Sequence, residues 1–360
     1  MSSYSPPVSV IIPNYNGRAY LQDCLDSLSH QTWPDFETIL LDNGSSDGSA
    51  EWIKQSFPHL KLIELSENLG FAGGCNYAAA HAGGEWLVFL NNDTIADPHW
   101  LKNLMTAVTA DPKSGAGTSK ILLVNDHARL DSIGSYLTAT GFLSHIGLLE
   151  ADHGQYDTIE KIFSPKGVAF AIRKDLFQKL DGFDHQYFAY FEETDLFWRV
   201  WLAGYQIIFA PKSVIYHKVG GTALSFHFSF VDYHSFKNRI RTILKNAQGT
   251  TLLWMLPFHL ACCAGLVLAN MLRRERWPNA WAIVRAFGWN IRHLPETWKA
   301  RRAIQKSRRI SDHELFKSAL HPIPVRNFFQ YMHWMIFSRE KLRASIHSKP
   351  NEAPHAVGHL

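Results

Sequence analysis

Four short apolar runs recur in the first hundred residues, at Val8–Ile12, Glu37–Asp42, Leu60–Leu65 and Trp86–Asn91, and each breaks off into polar or glycine-rich sequence. Helical patterns lie between them, at Tyr20–Ser29, Ala50–Phe57 and Ala72–Ala82. Apolar runs of this length read as strands buried on both faces. Their alternation with helices at short spacing predicts βαβ units and a parallel sheet with helices on both sides. Ligands of such sheets bind just outside the carboxyl ends of the strands. The four loops that follow the runs are Pro13-Asn14-Tyr15-Asn16-Gly17, Asp42 to Gly48, Asn68 to Asn76, and Asn91-Asn92-Asp93. Any one alone is an ordinary turn, but four at consecutive strand ends converge on one rim and mark a candidate ligand site.

Asp97-Pro98 opens a further helix, Trp100–Ala110, and the Gly and polar residues around 125–160 read as loops or an inserted hairpin. A second cluster follows: a strand at Val168–Arg173, a turn at Leu180–Asp184, a helix at Glu192–Ala203 and a strand at Gln206–Ala210. Beyond Phe236 the pattern changes to helices rich in Trp, Arg and Leu. The expected organisation is an α/β domain over 1–245, a helical, basic, Trp-rich region over 246–345 and a disordered tail over 346–360.

The net charge of +4 hides a split: residues 1–230 carry 15 Lys+Arg against 25 Asp+Glu, and residues 231–360 carry 21 against 7. The acidic part suits a metal site, and the basic part an anionic surface. The window Thr250–Leu272 is about as long as a membrane span. Pro257, His259 and Asn270 interrupt it, and Lys245 on one side and Arg273, Arg274 and Arg276 on the other flank it. An interfacial or re-entrant helix, a span, and a helix packed on its own domain all remain open. Trp254, Trp277, Trp281, Trp289 and Trp298 suit an interface. Four cysteines without metal-type spacing (Cys24, Cys75, Cys262, Cys263) read as free thiols of a reducing compartment. The N-terminus lacks a signal-peptide pattern, so a cytoplasmic location is expected.

The sequence resembles the family 2 glycosyltransferases, which use the GT-A fold, a Rossmann-like, mostly parallel mixed sheet with flanking helices. The residues that carry the resemblance are Val8 to Asn16, Leu41 to Gly48, Asn68 to Asn76, Asn91-Asn92-Asp93, Lys166 to Phe170, Phe191 to Leu196, and Ala210-Pro211 to His217. They keep order, spacing and strand context over about residues 7–245. The Asn68–Asn76 loop looks most like rhamnosyltransferase-type bacterial members.

The resemblance implies roles. Pro13, Asn14, Tyr15, Asn16, Asp42, Asn68, Gly70, Gly73, Asn76, Asn91 and Asn92 would bind the donor nucleotide, with Asp42 accepting from base or ribose, as an acceptor-only carboxylate can. Asn91-Asn92-Asp93 stands at the family's Asp-x-Asp position, where the final Asp binds the metal. Here Asn replaces the earlier carboxylate, leaving Asp93 as the one carboxylate ligand from this strand. His217 corresponds to a further metal ligand of some members. Mg2+ or Mn2+ fits such a set completed by substrate phosphates. Glu193 matches the catalytic base, with Glu192 the runner-up and Asp195 holding the loop or the acceptor.

The implied activity is inverting transfer of a sugar, dTDP-rhamnose or a UDP-sugar as donor, to a hydroxyl of a cell-surface glycan or polyprenyl-diphosphate-linked acceptor. Peripheral contact with the inner face of the cytoplasmic membrane is expected, and nucleic acid is not. Two other classes are weighed. A sugar nucleotidyltransferase would want basic, glycine-rich sequence in the first loop, which here is Asn14-Tyr15-Asn16-Gly17-Arg18. A non-catalytic membrane or polyanion binder would explain the basic segment but not the acidic set. No G-x-G-x-x-G follows a strand, which disfavours a dinucleotide oxidoreductase.

Overall fold

The computed structural model describes residues 7–218 and 227–319. The strands are β1 (Val8–Asn14), β2 (Glu37–Asp42), β3 (Lys61–Glu64), β4 (Trp86–Leu90), β5 (Thr94–Ala96), β6 (Ser114–Leu123), β7 (Asp126–Ser132), β8 (Gly134–Leu137), β9 (Leu143–Ile146), β10 (Ala169–Arg173) and β11 (Gln206–His217). The helices are α1 (Arg18–Ser29), α2 (Ser49–Ser56), α3 (Gly70–Ala80), α4 (Trp100–Thr109), α5 (Lys174–Lys179), α6 (Glu192–Leu202), α7 (Phe228–Asn246), α8 (Gly249–Met271), α9 (Trp277–Arg292), α10 (Leu294–Ser307) and α11 (Asp312–Ala319).

The main sheet runs β3-β2-β1-β4-β10-β6-β11-β5, with β7 on β6. Its half β3-β2-β1-β4 is parallel throughout, as the βαβ spacing predicts. β10 then enters antiparallel to both β4 and β6, which makes the sheet mixed. Burial explains why these runs form strands: Val8, Val10, Ile11 and Ile12 of β1 are wholly enclosed. On one face lie Leu21, Cys24, Leu25 and Leu28 of α1 and Trp100, Leu101, Leu104 and Met105 of α4. Tilted and edge-to-face rings of Phe89, Phe170, Phe177, Phe183 and Phe197 form an aromatic cluster, with centroids 5.1–6.4 Å apart.

Two stretches differ from the sequence reading. The region 125–160, read as loops or an inserted hairpin, holds the two-stranded sheet β8–β9 and, beyond that reading, β7, which joins the main sheet beside β6. The strand expected at Gln206–Ala210 continues to His217, because Pro211–Ser213 are accommodated as a bulge. Ala210 pairs with Ser119 of β6 and Val214 with Lys120, so the strand resumes only one step further along its neighbour. A proline that looked like a strand end is tolerated there because a bulged residue donates no ladder hydrogen bond.

The chain divides into two compact units. Among the described residues, the first holds 7–135, 145–218 and 306–319, and the second holds 136–144 and 227–305. The boundary read from sequence at 245/246 thus lies ahead of α7, because α7 packs on α9 and belongs to the second unit. The chain also returns to the first unit, where the Arg309 amide donates to the Leu202 carbonyl at 2.7 Å. The expected tail at 346–360 lies outside the described residues.

Within the second unit, Phe142, Phe236, Cys262, Cys263, Leu266, Ile283 and Ala286 form the core. The window Thr250–Leu272 is a single helix, α8, which contains Pro257. Its buried side carries Thr251, His259 and Asn270 besides Met255 and Leu266. Its outer side shows Leu253, Trp254, Phe258, Leu260 and Leu268.

Candidate active site

The rim expected at the strand ends is assembled by hydrogen bonds between the loops. Parallel register sets Asn14 beside Asp42 at the ends of β1 and β2. The Asn14 amide donates to Asp42 Oδ1 at 3.1 Å and to Ser45 Oγ at 3.3 Å. Its Oδ1 accepts from Asn92 Nδ2 at 2.6 Å. Asp42 Oδ2 accepts the Ser45 amide at 3.0 Å. Asn16, in left-handed backbone, accepts the Ser46 amide at 2.8 Å. Asn14, Asp42, Asn92 and Asp93 are buried, while Pro13, Tyr15 and Asn91 are half-buried on the same rim.

Asn43, to which the sequence reading gave no role, ties the third loop to the second. Its amide donates to Asn68 Oδ1 and to the Gly70 carbonyl, both at 3.0 Å, and its Oδ1 accepts the Leu69 amide at 3.0 Å. Gly70 has φ +73°, and a Cβ there would lie 2.3 Å from the Phe188 carbonyl oxygen, so only glycine fits. Gly73 lies in the first turn of α3, where a Cβ would approach that of Leu69 to 3.0 Å. Asn76 is placed differently from the expectation: its side-chain amide pairs in both directions with the backbone of Phe183, at 2.9 Å each. That makes it a clamp between α3 and the Gly182 turn. Gly17, read only as the end of the first loop, has a steric role as well: a Cβ there would fall 2.0 Å from Asn92 Nδ2 and 2.5 Å from Asn14 Oδ1.

Asp93 and His217 meet because β5 runs antiparallel to β11, with Thr94 opposite His217. His217 Nε2 lies 3.4 Å from Asp93 Oδ1. Its Nδ1 is 2.7 Å from Asp131 Oδ2, and the other oxygen of Asp131 pairs with Lys166 Nζ. Burial opposes charge on His217, but Asp131 and Asp93 outweigh it and raise the ring to about 9. Asp131, also buried, is held well below the usual carboxylate range by Lys166 and His217. Asp131 lies on β7, in the stretch read as loop, and no local pattern marked it.

Asp93 Oδ1 is buried and has no hydrogen-bond partner. A buried carboxylate oxygen in a long 3.4 Å ion pair with an imidazole, whose other nitrogen is held by a carboxylate, is a donor set that a divalent cation would complete in place of the Nε2 proton. The residues therefore fit the implied metal. Among the described residues no three His, Cys, Asp or Glu side chains form a fuller cage, so the remaining ligands would be diphosphate oxygens and water.

Glu192 and Glu193 open α6 after Tyr190 and Phe191, both at positive φ (67° and 71°). Left-handed backbone at two bulky residues is strained, a feature that persists where neighbouring structure imposes it. Glu192 is buried, with Oε2 unpaired, and burial together with the charge of Glu193 holds its carboxyl well above the usual range. Glu193 is the more accessible of the two. Burial raises it to about 7, against the opposing pull of hydrogen bonds at the helix start and of Lys166. It faces the space left by the missing side chain of Gly167, where a Cβ would lie 3.7 Å from its carboxyl carbon. Asp195 is wholly buried in an ion pair with Arg199 at 2.9 Å, and Arg199 also donates to the Leu180 and Gly182 carbonyls. Its carboxylate is committed to that turn.

Residues 9–180 match the family model described as glycosyl transferase family 2. The N-acetylglucosaminyl-diphospho-decaprenol L-rhamnosyltransferase of Mycobacterium tuberculosis is 26% identical over 300 residues, covering 74% of this chain and 94% of that protein. The O-antigen biosynthesis protein RfbC of Myxococcus xanthus is 26% identical over 223 residues, 59% of this chain but only 17% of RfbC. Among solved structures, S. aureus TarS 1–349 in complex with UDP-GlcNAc aligns with a TM-score of 0.55 and 19% identity, over 83% of this chain and 86% of that one. That likeness places the fold in the GT-A class.

Proposed function

We propose that this chain, a family 2 glycosyltransferase, moves a sugar from a nucleoside diphosphate donor to a hydroxyl of a lipid-linked or cell-surface glycan, by single displacement with inversion. The observation that carries the proposal is one connected run of side chains. It leads from Asp93 through His217 and Asp131 to Lys166, whose charge acts on Glu193. A leaving-group site and a base of suitable affinity for protons thus belong to one assembly.

Asn14, Asn16, Asp42 and Asn92 would hold the nucleoside at the strand ends. Asp93 and His217 would hold Mg2+ or Mn2+, which supplies neutralisation of charge on the departing diphosphate. Glu193 would take the proton of the acceptor hydroxyl, and a carboxylate raised to about 7 by burial is near the optimum for a general base at neutral pH. Asp131 would keep the His217 ring in one orientation, with Nδ1 holding its proton and Nε2 free to give up its own to a bound cation. The decaprenol-linked substrate in the name of the mycobacterial relative favours a polyprenyl-diphosphate acceptor. Its rhamnosyl activity favours dTDP-rhamnose, with UDP-sugars next in view of the UDP-GlcNAc bound by TarS. Such an acceptor would call for peripheral contact with the inner face of the cytoplasmic membrane.

The test is thermal unfolding of the purified protein with Mn2+ and a panel of dTDP- and UDP-sugars, followed by assay of nucleoside diphosphate release with lipid-linked acceptors. A donor that stabilises the fold is expected to support release. Release unchanged in both Asp93→Ala and Glu193→Ala would sink the proposal.

A further inference from the structure

The second unit carries a helix whose polarity is inverted for water. From Leu252 to Met271 every exposed residue of α8 is apolar, with Leu253 at 79% and Leu268 at 65% exposure, and Leu272 just after it is 87% exposed. The polar side chains of this stretch, His259 and Asn270, are turned inward. His259 bonds to the Thr140 carbonyl at 2.8 Å, and Asn270 to that of Leu266 at 2.9 Å. Only 22% of the most apolar stretch of α8 is buried inside the protein, unlike a core helix. A continuous apolar face of this kind marks a partner surface. Trp277 and Trp281 of the next helix are exposed as well, at 55% and 64%.

Charge identifies the partner. Arg273 and Arg274 stand exposed at the end of α8, and Arg285 and Arg292 on α9. Residues 231–360 carry 21 Lys+Arg against 7 Asp+Glu. Exposed aliphatic and Trp side chains bordered by arginine suit the interface of a bilayer rich in anionic lipid.

The placement of Arg239 then decides how the helix meets the bilayer. At 23 residues α8 is about 34 Å long, enough to cross a hydrocarbon core. Arg239 of α7, however, lies 4.4 Å from the Phe142 ring and close enough to His259 and Cys263 to disfavour charge on the one and favour it on the other. Those residues are half-way along α8. A crossing helix would carry Arg239 to the bilayer midplane, among the costliest positions for it. A helix lying in the plane of the membrane submerges the apolar face and leaves α7 on the aqueous side.

We propose that the outer face of α8 is an in-plane docking surface for anionic membrane, which deepens the reading of a lipid-linked acceptor and rests on it only for its purpose. The full-length protein should cosediment with vesicles of phosphatidylethanolamine and phosphatidylglycerol, and much less with phosphatidylcholine alone. Leu253→Glu, Phe258→Glu and Leu268→Glu should each weaken partitioning by about tenfold. Arg273→Glu and Arg274→Glu should each weaken it by about fivefold on the anionic vesicles. Melting temperature reports whether each variant folds. If Phe258→Glu or Leu268→Glu does not, Leu253→Glu carries the comparison, since Leu253 is 79% exposed.

Alkaline carbonate should strip the bound chain from membranes, whereas retention would mean a span and overturn the in-plane surface. A dimer in light scattering that the same substitutions disperse, with no vesicle binding, would overturn it in favour of a second copy of the chain. Vesicle binding without sugar transfer would leave this surface standing and sink the functional proposal, and transfer by a chain indifferent to vesicles would do the reverse.

Discussion

Asp131 Oδ2 holds His217 Nδ1 at 2.7 Å, which leaves Nε2 as the nitrogen that faces Asp93. Asp131→Asn should keep the fold but loosen the ring. A second carboxylate of this kind is worth about 10- to 100-fold in metal affinity. Titration of Mn2+ in the presence of dTDP or UDP, read by electron paramagnetic resonance of the unbound ion, checks it. Equal affinity in the variant and the parent would remove Asp131 from the site.

Asn91 stands where a carboxylate could add a second negative charge beside Asp93. Asn91→Asp should therefore tighten divalent cation binding, since charge count among oxygen ligands tunes affinity. The same Mn2+ titration reads the change. A weaker affinity would indicate that residue 91 points away from the cation.

The burial-raised carboxyl of Glu193 predicts a pH profile. The base accepts a proton only when ionised, so turnover at saturating substrates should climb as pH rises through about 7 and level off above it. Glu193→Gln should lower turnover by at least about 100-fold across the profile, the usual worth of a general base. A flat profile between about pH 5 and pH 8 would assign the base elsewhere.

Glu192 predicts a stability effect of definite sign. Its carboxyl lies well above the ordinary 4.5 in the folded state because burial disfavours its charge. The unfolded chain therefore releases the proton first, and stability is lost as pH rises above 4.5. Glu192→Gln removes that loss. The melting temperatures of variant and parent should nearly coincide at about pH 4 and separate, with the variant higher, towards about pH 8.

Asp195 separates a structural from an acceptor-binding role. Removing one partner of a buried pair leaves an uncompensated charge and costs about 3–5 kcal/mol. Asp195→Ala should lose stability on that scale in urea unfolding, with the donor KM little changed once the protein is folded. A stable variant with a raised acceptor KM would return Asp195 to the acceptor site.

The parallel half of the sheet was legible because β1, β2 and β4 are buried on both faces and end in polar loops. The polar rim was legible for the same reason: Asn14, Asp42 and Asn92 sit at strand ends, where sequence position implies spatial position. Asp131 and Lys166 were not, since their contacts depend on which strand lies beside which, and that is fixed by long-range register. Asn76 and Asp195 look like site residues by composition, but their partners are a backbone amide at Phe183 and the guanidinium of Arg199. The membrane-length run was visible as an apolar window. Its orientation required knowing that His259 and Asn270 point inward.

The three-residue bulge in β11 works as an expansion joint. Ser213 within it is pinned by the Trp100 carbonyl and Ser119 hydroxyl, both at 2.9 Å. Ile207 and Phe209 before the joint answer to the hydrophobic core, while His217 beyond it answers to Asp93 and Asp131. Slack taken up at Pro211–Ser213 lets the core half of the strand be repacked without dragging the histidine out of register. Core and chemistry on this strand are thereby open to separate revision.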